Sequence, residues 1–162
     1  QEYLDRIYAK TGAMFVLAAG AAATLGGADE FNRAALERYG YNIGIAFQIV
    51  DDVLDFTGKQ TQLGKPVGND LQQGLFTLPV LLYVERYPDD PDYLALLKAQ
   101  DGNPPAASRL IESIRRSSVI GDALAEARDL AGEAQLALKD VPYSRYVDAL
   151  SSIADTIINR KV

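Results

Sequence analysis

The 162-residue sequence predicts an all-α protein, and three observations support this fold class. Apolar residues recur at the three- and four-residue spacing of amphipathic helices. Clusters of glycine and proline separate these stretches from one another. No stretch shows the alternation of apolar and polar residues that is typical of a half-buried strand. The length suits one domain with a sizeable core, so we expect residues 1–162 to form a single all-helical domain.

The first two predicted helices are the longest. We expect one helix over residues 2–25, where two consecutive glycines end it. Asp29 is a candidate N-cap for the next helix, which should reach about residue 56. Gly40 and Gly44 are the only breakers in this second helix, and their four-residue spacing is typical of close helix packing.

The remaining predicted elements are shorter. Residues 57–73 contain four glycines or prolines and few apolar residues, so they are a predicted loop. Pro79 is tolerated in the first turn of a helix. Asp92 is a candidate N-cap of a short helix that follows the turn at residues 88–92. The other predicted helices cover residues 74–87, 92–99, 108–116, 122–139 and 143–160, and residues 101–108 form a predicted loop.

The composition excludes several kinds of chemistry. A formal net charge of −6 disfavours a role in binding nucleic acid. Cysteine and histidine are both absent, which excludes disulfides, thiolate metal sites, imidazole bases and Ser-His triads. Any catalysis must therefore use carboxylates, amides, hydroxyls, lysines and arginines. The lack of cysteine suits a cytoplasmic protein, and the longest apolar run, residues 13–25, is too short to span a bilayer.

Three aspartates lie within the otherwise apolar stretch FQIVDDVLDF at residues 47–56. On a helix, Asp51 and Asp55 project from one face, with Asp52 to one side and the amide of Gln48 nearby. Carboxylates at this spacing repel each other unless they are solvated, paired with cations or bound to a hard metal ion. Mg²⁺ takes oxygen ligands and shares them with substrate phosphates, so the cluster is a candidate Mg²⁺ site. The alternative is a solvated acidic face.

Three elements in order resemble one known family. The stretch GIAFQIVDDVLDFTG is followed by LGKPVGNDLQQGLFTLPVLL, and AKTG at residues 9–12 precedes both. Together they resemble the trans-prenyltransferases, the polyprenyl diphosphate synthases, and most of all the bacterial medium- and long-chain synthases. The resemblance implies the C-terminal portion of the isoprenoid synthase fold. It also implies a Mg²⁺-dependent reaction in which isopentenyl diphosphate attacks the carbocation of an ionised allylic diphosphate.

The same resemblance assigns roles to individual residues. The implied metal-binding residues are Asp51, Asp52, Asp55 and Asp70. Among these, Asp51 is the most direct ligand, Asp55 acts through water and Asp70 is an outer member. The implied catalytic and substrate-binding residues are Lys10, Thr11, Phe47, Gln48 and Lys65. Taken one at a time, these residues have simpler interpretations: surface lysines, a threonine bonded to its own helix, a buried core amide and an ordinary loop residue.

Two features depart from the family pattern. Leu75 stands where many members have a lysine, and the first aspartate-rich motif is absent. The acidic stretch at residues 89–92 does not replace that motif, because it lies in a turn and has different spacing. The chain also begins within a helical pattern, so we expect a C-terminal half with negligible prenyl transfer alone. Such a half should form a homo-oligomer or pair with the missing N-terminal half.

Two other functions stay open at this point. The chain could be a non-catalytic partner subunit or helical assembly module of a heteromeric prenyltransferase. It could also belong to another Mg²⁺-dependent terpenoid enzyme, such as a cyclase that uses the DDxxD motif. The loop GKPVGND after the aspartates fits the elongating synthases better than a cyclase.

Overall fold

The computed structural model of the protein describes residues 1–58, 67–99 and 103–160. All regular structure in these ranges is helical, which confirms the all-α prediction. In chain order the elements are α1 (Glu2–Ile7), a π-helical segment π1 (Tyr8–Gly12), α2 (Ala13–Leu25), α3 (Glu30–Thr57), α4 (Asn69–Gln72), α5 (Leu78–Arg86), α6 (Pro91–Lys98), α7 (Pro104–Arg116), α8 (Val119–Leu138) and α9 (Arg145–Ile158).

The chain divides into two compact units. The first unit comprises Gln1–Val50 with Ala125–Lys161, and the second comprises Asp51–Leu124. Helices α3 and α8 each contribute residues to both units. This division does not test whether residues 1–162 form one domain, so that interpretation stays a prediction.

The first unit is held by close contacts between α2 and α3. A Cβ atom added at Gly40 would lie 2.7 Å from the carbonyl oxygen of Phe15. One turn later, a Cβ atom at Gly44 would lie 2.9 Å from the Cα atom of Gly12. Only glycine permits backbones this close, so the packing role predicted for the two glycines of α3 is confirmed. Helix α3 runs through both glycines without a break.

Tyr39 connects α3 to α9 through a buried hydrogen bond. Its hydroxyl donates to the carbonyl oxygen of Leu150 at 2.9 Å. Burial raises the pKa of Tyr39 from 10.0 to about 12. The folded protein therefore holds the phenolic proton more tightly than the unfolded chain. This contribution to stability is complete below pH 10 and is lost as the pH rises from about 10 to 12.

We therefore expect Tyr39→Phe to change both stability and its pH dependence. At pH 7 the variant should lose about 1 kcal/mol of unfolding free energy, because the carbonyl of Leu150 loses its donor. Above pH 10 its stability should fall less steeply than that of the wild type. Urea unfolding at pH 7 and at several alkaline values measures both effects. An unchanged alkaline slope in the variant would contradict the assignment to Tyr39.

The second unit has its own apolar core. Phe56 from the end of α3, Leu71 from α4 and Val80 from α5 are buried together. The other buried members of this cluster are Tyr83, Leu110, Ile111, Ile114 and Val119. Because Leu71 is anchored here, the turn that precedes it is fixed to the end of α3. This arrangement positions Asp70.

Several predicted boundaries are wrong by a few residues. Helix α5 begins at Leu78 and not near Gly74, because Gly74 has a positive φ of 78° and forms a turn. The predicted loop at residues 57–73 contains the short helix α4, and its residues 59–66 lie outside the described ranges. Helices α8 and α9 begin at residues 119 and 145, and not at 122 and 143.

Two caps explain the other differences. Asp90, and not Asp92, caps α6, because its carboxylate accepts from the backbone N–H of Asp92 at 2.9 Å and of Tyr93 at 3.1 Å. Helix α7 begins at Pro104, within a predicted loop. The side chain of Asn103 caps it, and prolines are well tolerated in a first helical turn.

The N-terminal helix is longer than its apolar run. Elements α1, π1 and α2 form one continuous helix, Glu2–Leu25, of 24 residues. By length and composition alone, this helix could cross a membrane. One such helix near an N-terminus is weak evidence, because core helices of soluble proteins and signal sequences meet the same criteria. The expectation that the protein does not span a membrane stays a prediction.

Candidate active site

The Lys-Thr element lies in the π-helical segment of the N-terminal helix. Lys10 and Thr11 belong to π1, where the backbone departs from α-helical geometry. Single-turn π segments inside α-helices occur frequently at functional sites. Lys10 is exposed and Thr11 is half-buried, so the segment presents one cationic and one hydroxyl group.

Thr11 and Gln48 form a hydrogen-bonded pair across two helices. The Thr11 hydroxyl donates to Oε1 of Gln48 at 2.8 Å, and the Gln48 side chain is almost fully buried. The contact between Gly12 and Gly44 lies next to this pair and brings the two backbones together. Because Oε1 accepts from Thr11, the amide group of Gln48 has a defined orientation. Thr11 therefore does not simply bond to its own helix, and Gln48 is held by the Lys-Thr element.

Phe47 lies beside Gln48 on α3 and is half-buried. Its ring contacts that of Phe15, with 5.8 Å between the centroids. The guanidinium carbon of Arg160 lies 5.5 Å from the Phe47 ring centroid. Phe47 also lines an open groove together with residues of the last helix, including Asp155 and Ile157. The aromatic face is thus part of an open groove in the first unit.

The three aspartates of α3 differ sharply in exposure. Asp51 is exposed. Asp52 and Asp55 are only 3% and 2% exposed. Helical geometry predicted that Asp51 and Asp55 project from one face. Of these two residues, packing within the second unit buries only Asp55. The three carboxylates are therefore not equivalent.

Asp55 is bonded to the turn that carries Asp70. Its Oδ2 atom accepts a hydrogen bond from the backbone N–H of Asp70 at 3.1 Å. Its backbone carbonyl accepts from the N–H of Gly68 at 2.8 Å. Asp70 itself is half-buried. The structure thus brings Asp55 and Asp70 together through the backbone of Asp70.

The structure brings two pairs of predicted site residues into hydrogen-bond contact. The pairs it joins are Thr11 with Gln48 and Asp55 with Asp70. Within residues 1–58, 67–99 and 103–160, no group of three or more acidic side chains is arranged to hold a metal ion. Lys65 lies outside the described residues.

The sequence interpretation missed three features that build the site. It did not anticipate the π segment, and Gly12 directly after Thr11 was the available signal for close packing. It did not pair Thr11 with Gln48, since contacts between distant helices leave no spacing signal. It also did not identify Gly68, whose positive φ of 67° shapes the turn before Asp70.

Comparison with known proteins decides the family. Residues 1–114 match the sequence model of the polyprenyl synthetase family. The chain belongs to this family. Component 2 of the heptaprenyl diphosphate synthase of Bacillus subtilis (strain 168) is 36% identical over 159 residues, which are 98% of this chain and 45% of that protein. The octaprenyl diphosphate synthase of Haemophilus influenzae is 36% identical over 160 residues, 98% of this chain and 48% of that protein.

Solved structures of prenyl synthases share the fold of this family member. The heptaprenyl diphosphate synthase of Staphylococcus aureus matches with a TM-score of 0.91 at 31% identity, covering 99% of this chain and 50% of that one. The polyprenyl synthase of Caulobacter crescentus CB15, complexed with calcium and isoprenyl diphosphate, matches with a TM-score of 0.88 at 34% identity. This match covers 99% of this chain and 49% of that one. The isoprenoid synthase fold is thereby confirmed. The chain spans about half the length, or less, of the relatives it matches.

Proposed function

We propose that this chain is part of a polyprenyl diphosphate synthase, which condenses isopentenyl diphosphate with an allylic diphosphate. The observation that carries the proposal lies on α3. This unbroken helix holds buried Gln48, bonded to Thr11, and exposes Asp51 less than one turn later. Family membership and the prenyl synthase names of the relatives support the same reaction.

The oxygen donors on α3 fit a hard divalent cation. Mg²⁺ prefers carboxylate oxygens, retains several waters and shares its sites with phosphates. Asp51 can reach such an ion from an exposed position, and the remaining ligands would be water and diphosphate oxygens. When bound, Mg²⁺ would act as a Lewis acid that stabilises negative charge on the leaving diphosphate. The complex of the C. crescentus relative with calcium and isoprenyl diphosphate supports this pairing of a divalent cation with a diphosphate.

The cationic side chains would bind the diphosphate groups. Lys10 is exposed on π1 and is free to reach an anion, and Lys65 is proposed to act with it. Leu75, which is exposed, offers no charge at a position where many members have lysine. The proposed site therefore depends more heavily on Lys10 and on the metal ion. Positive groups placed where negative charge develops are the main source of stabilisation in such reactions.

The uncharged residues would orient the isoprenoid chain. In the proposed reaction the C–O bond to diphosphate breaks, and the leaving diphosphate takes the bonding electrons. The double bond of isopentenyl diphosphate then forms the new C–C bond, and the proton it loses passes to diphosphate. Phe47 offers an aromatic face that can contact isoprenoid carbons and stabilise positive charge. The Thr11–Gln48 pair would fix an amide dipole next to it.

An exposed apolar surface suggests what the chain binds besides substrate. On α2, Leu17 is 64% exposed and Leu25 is 90% exposed, and Met14 of the same helix and Phe31 at the start of α3 are similarly open. Exposed apolar surfaces of this kind mark sites of association. Because the relatives are about twice as long, we propose that this surface packs against the remaining half of a polyprenyl synthase. A homo-oligomer is the other proposed arrangement.

A non-catalytic or partner subunit is the second candidate function. One specific observation favours it, namely that the B. subtilis relative is named as component 2 of its synthase. A purely structural subunit has no need of an exposed Asp51 or of an oriented Gln48. The relatives and structures described above are prenyl synthases, which disfavours the cyclase alternative.

A transfer assay with labelled isopentenyl diphosphate tests the proposed function. The chain should have negligible activity with farnesyl diphosphate and Mg²⁺ when assayed alone. Co-expression with the complementary half of the S. aureus synthase should give a complex that elongates farnesyl diphosphate. A stable complex that remains inactive would favour the partner-subunit function. Steady elongation by the isolated chain would contradict the proposal that it supplies only part of the site.

A further inference from the structure

We propose that Asp55 is a positioning residue that holds the turn carrying Asp70, and that it is not itself a metal ligand. The inference rests on the proposed function in assigning Asp70 to the outer part of the metal site. The attachment of the turn to Asp55 is independent of that assignment. If Asp55 holds the turn, the aspartates of the DDxxD motif have different roles.

Asp55 and Asp51 differ in how far their side chains are buried. Asp55 lies one turn after Asp51 on α3, yet it is 2% exposed while Asp51 is exposed. The carboxylate of Asp51 is open to an ion that enters from solvent together with a diphosphate, whereas that of Asp55 is covered by neighbouring residues of the second unit. The spacing of the motif alone does not distinguish these two residues.

Asp55 binds the turn at two points. Its backbone carbonyl accepts from the N–H of Gly68, and its Oδ2 atom accepts from the N–H of Asp70. A hydrogen bond from a backbone N–H to a carboxylate is charge-assisted and stronger than one to a neutral acceptor. One residue at the end of α3 therefore fixes both the entry of the turn and the backbone of Asp70.

The turn that carries Asp70 is also held by its other residues. Gly68 has φ = 67°, and a Cβ atom there would overlap with Cδ1 of Ile111. Leu71 is 2% exposed in the apolar core, and the N–H of Leu75 donates to the carbonyl of Asp70 at 2.8 Å. With its N–H and C=O both bonded, Asp70 has a fixed backbone and a half-buried side chain. Asp55 thus helps to fix the backbone from which the Asp70 carboxylate projects.

Amide hydrogen exchange on the full chain tests this role without any ligand. Asp55→Ala removes the partner of the Asp70 amide but keeps the carbonyl partner of the Gly68 amide. We expect protection of the Asp70 amide to fall by about tenfold or more, and that of Gly68 to fall less. Asp55→Asn keeps an acceptor oxygen and should rescue protection at Asp70. Unchanged protection of Asp70 in Asp55→Ala, or no rescue by asparagine, would overturn the proposal.

Metal binding provides a second readout, with Mn²⁺ and inorganic diphosphate as probes. Asp55→Asn should keep most of the wild-type affinity for Mn²⁺, whereas Asp51→Asn should lose it. Equal losses in the two variants would identify Asp55 as a ligand and overturn the proposal. The titration uses the complex of the full chain with the complementary half of a polyprenyl synthase, and if that complex binds no Mn²⁺, the proposed function fails while the exchange data still decide the role of Asp55. Because Asp55→Asn preserves shape and acceptor, it keeps the test decisive even if Asp55→Ala does not fold.

Discussion

Replacing Gly40 with alanine is expected to lower the free energy of unfolding by about 1–3 kcal/mol, because the new methyl group overpacks α3 against α2. Its Cβ atom would lie 2.7 Å from the carbonyl oxygen of Phe15 and 3.1 Å from the Cα atom of Val16. These are backbone atoms of a helix and cannot rotate away, so the two helices must separate. The loss should appear even though alanine is intrinsically the better helix former by about 1 kcal/mol.

Gly132 provides a matched control for this substitution. It also lies inside a long helix, α8, but an added Cβ atom there meets nothing within 4 Å. Gly132→Ala should therefore stabilise the protein by about 0.5–1 kcal/mol through helix propensity alone. Urea unfolding of the two variants measures changes of opposite sign. A Gly40→Ala variant as stable as Gly132→Ala would contradict the close packing of α2 on α3.

Asp51→Asn is expected to weaken Mg²⁺-dependent binding of diphosphate by about tenfold or more, since a neutral amide is a much poorer ligand for Mg²⁺. Asp51 is the exposed member of the motif, so the change should leave the fold intact. Competition between Mg²⁺ and Mn²⁺ in the presence of inorganic diphosphate, followed by electron paramagnetic resonance, measures the effect. The unfolding free energy of the same variant should stay within about 0.5 kcal/mol of the wild type.

Asp129→Asn is the control for the change in net charge. Asp129 is an exposed residue of α8, and its replacement by asparagine removes the same single negative charge as Asp51→Asn does. It should bind Mg²⁺ and diphosphate as the wild type does. If Asp129→Asn weakens binding as much as Asp51→Asn, the effect is one of overall charge, and Asp51 is not a ligand.

The sequence predicted those parts of the fold that depend on local signals. The long helix α3 follows from its apolar period, and Asp29 caps it as predicted, with its carboxylate accepting from the N–H of Asn32 at 2.8 Å. The predicted starts of α6 and α7, at residues 92 and 108, were wrong. Asp90 and Asn103 act as the caps because prolines follow them directly and favour a first helical turn.

The candidate site was predictable in residue type but not in arrangement. The motif identified Asp51, Asp52 and Asp55 as one set, yet the burial of Asp55 results from tertiary packing onto residues 67–71. Contacts between residues far apart in sequence, such as that of Thr11 with Gln48, also lie beyond helical periodicity. Spacing specifies which residues share a face of one helix, whereas packing decides which of them stay exposed.

Calorimetric titration of farnesyl diphosphate measures whether Asp51 supplies a Mg²⁺-dependent diphosphate site. The protein should be the complex of this chain with the complementary half of a polyprenyl synthase, titrated with and without Mg²⁺. We expect binding that requires Mg²⁺ and is lost when this chain carries Asp51→Asn. Binding that is equally strong without Mg²⁺, or unchanged in the Asp51→Asn complex, would contradict this expectation.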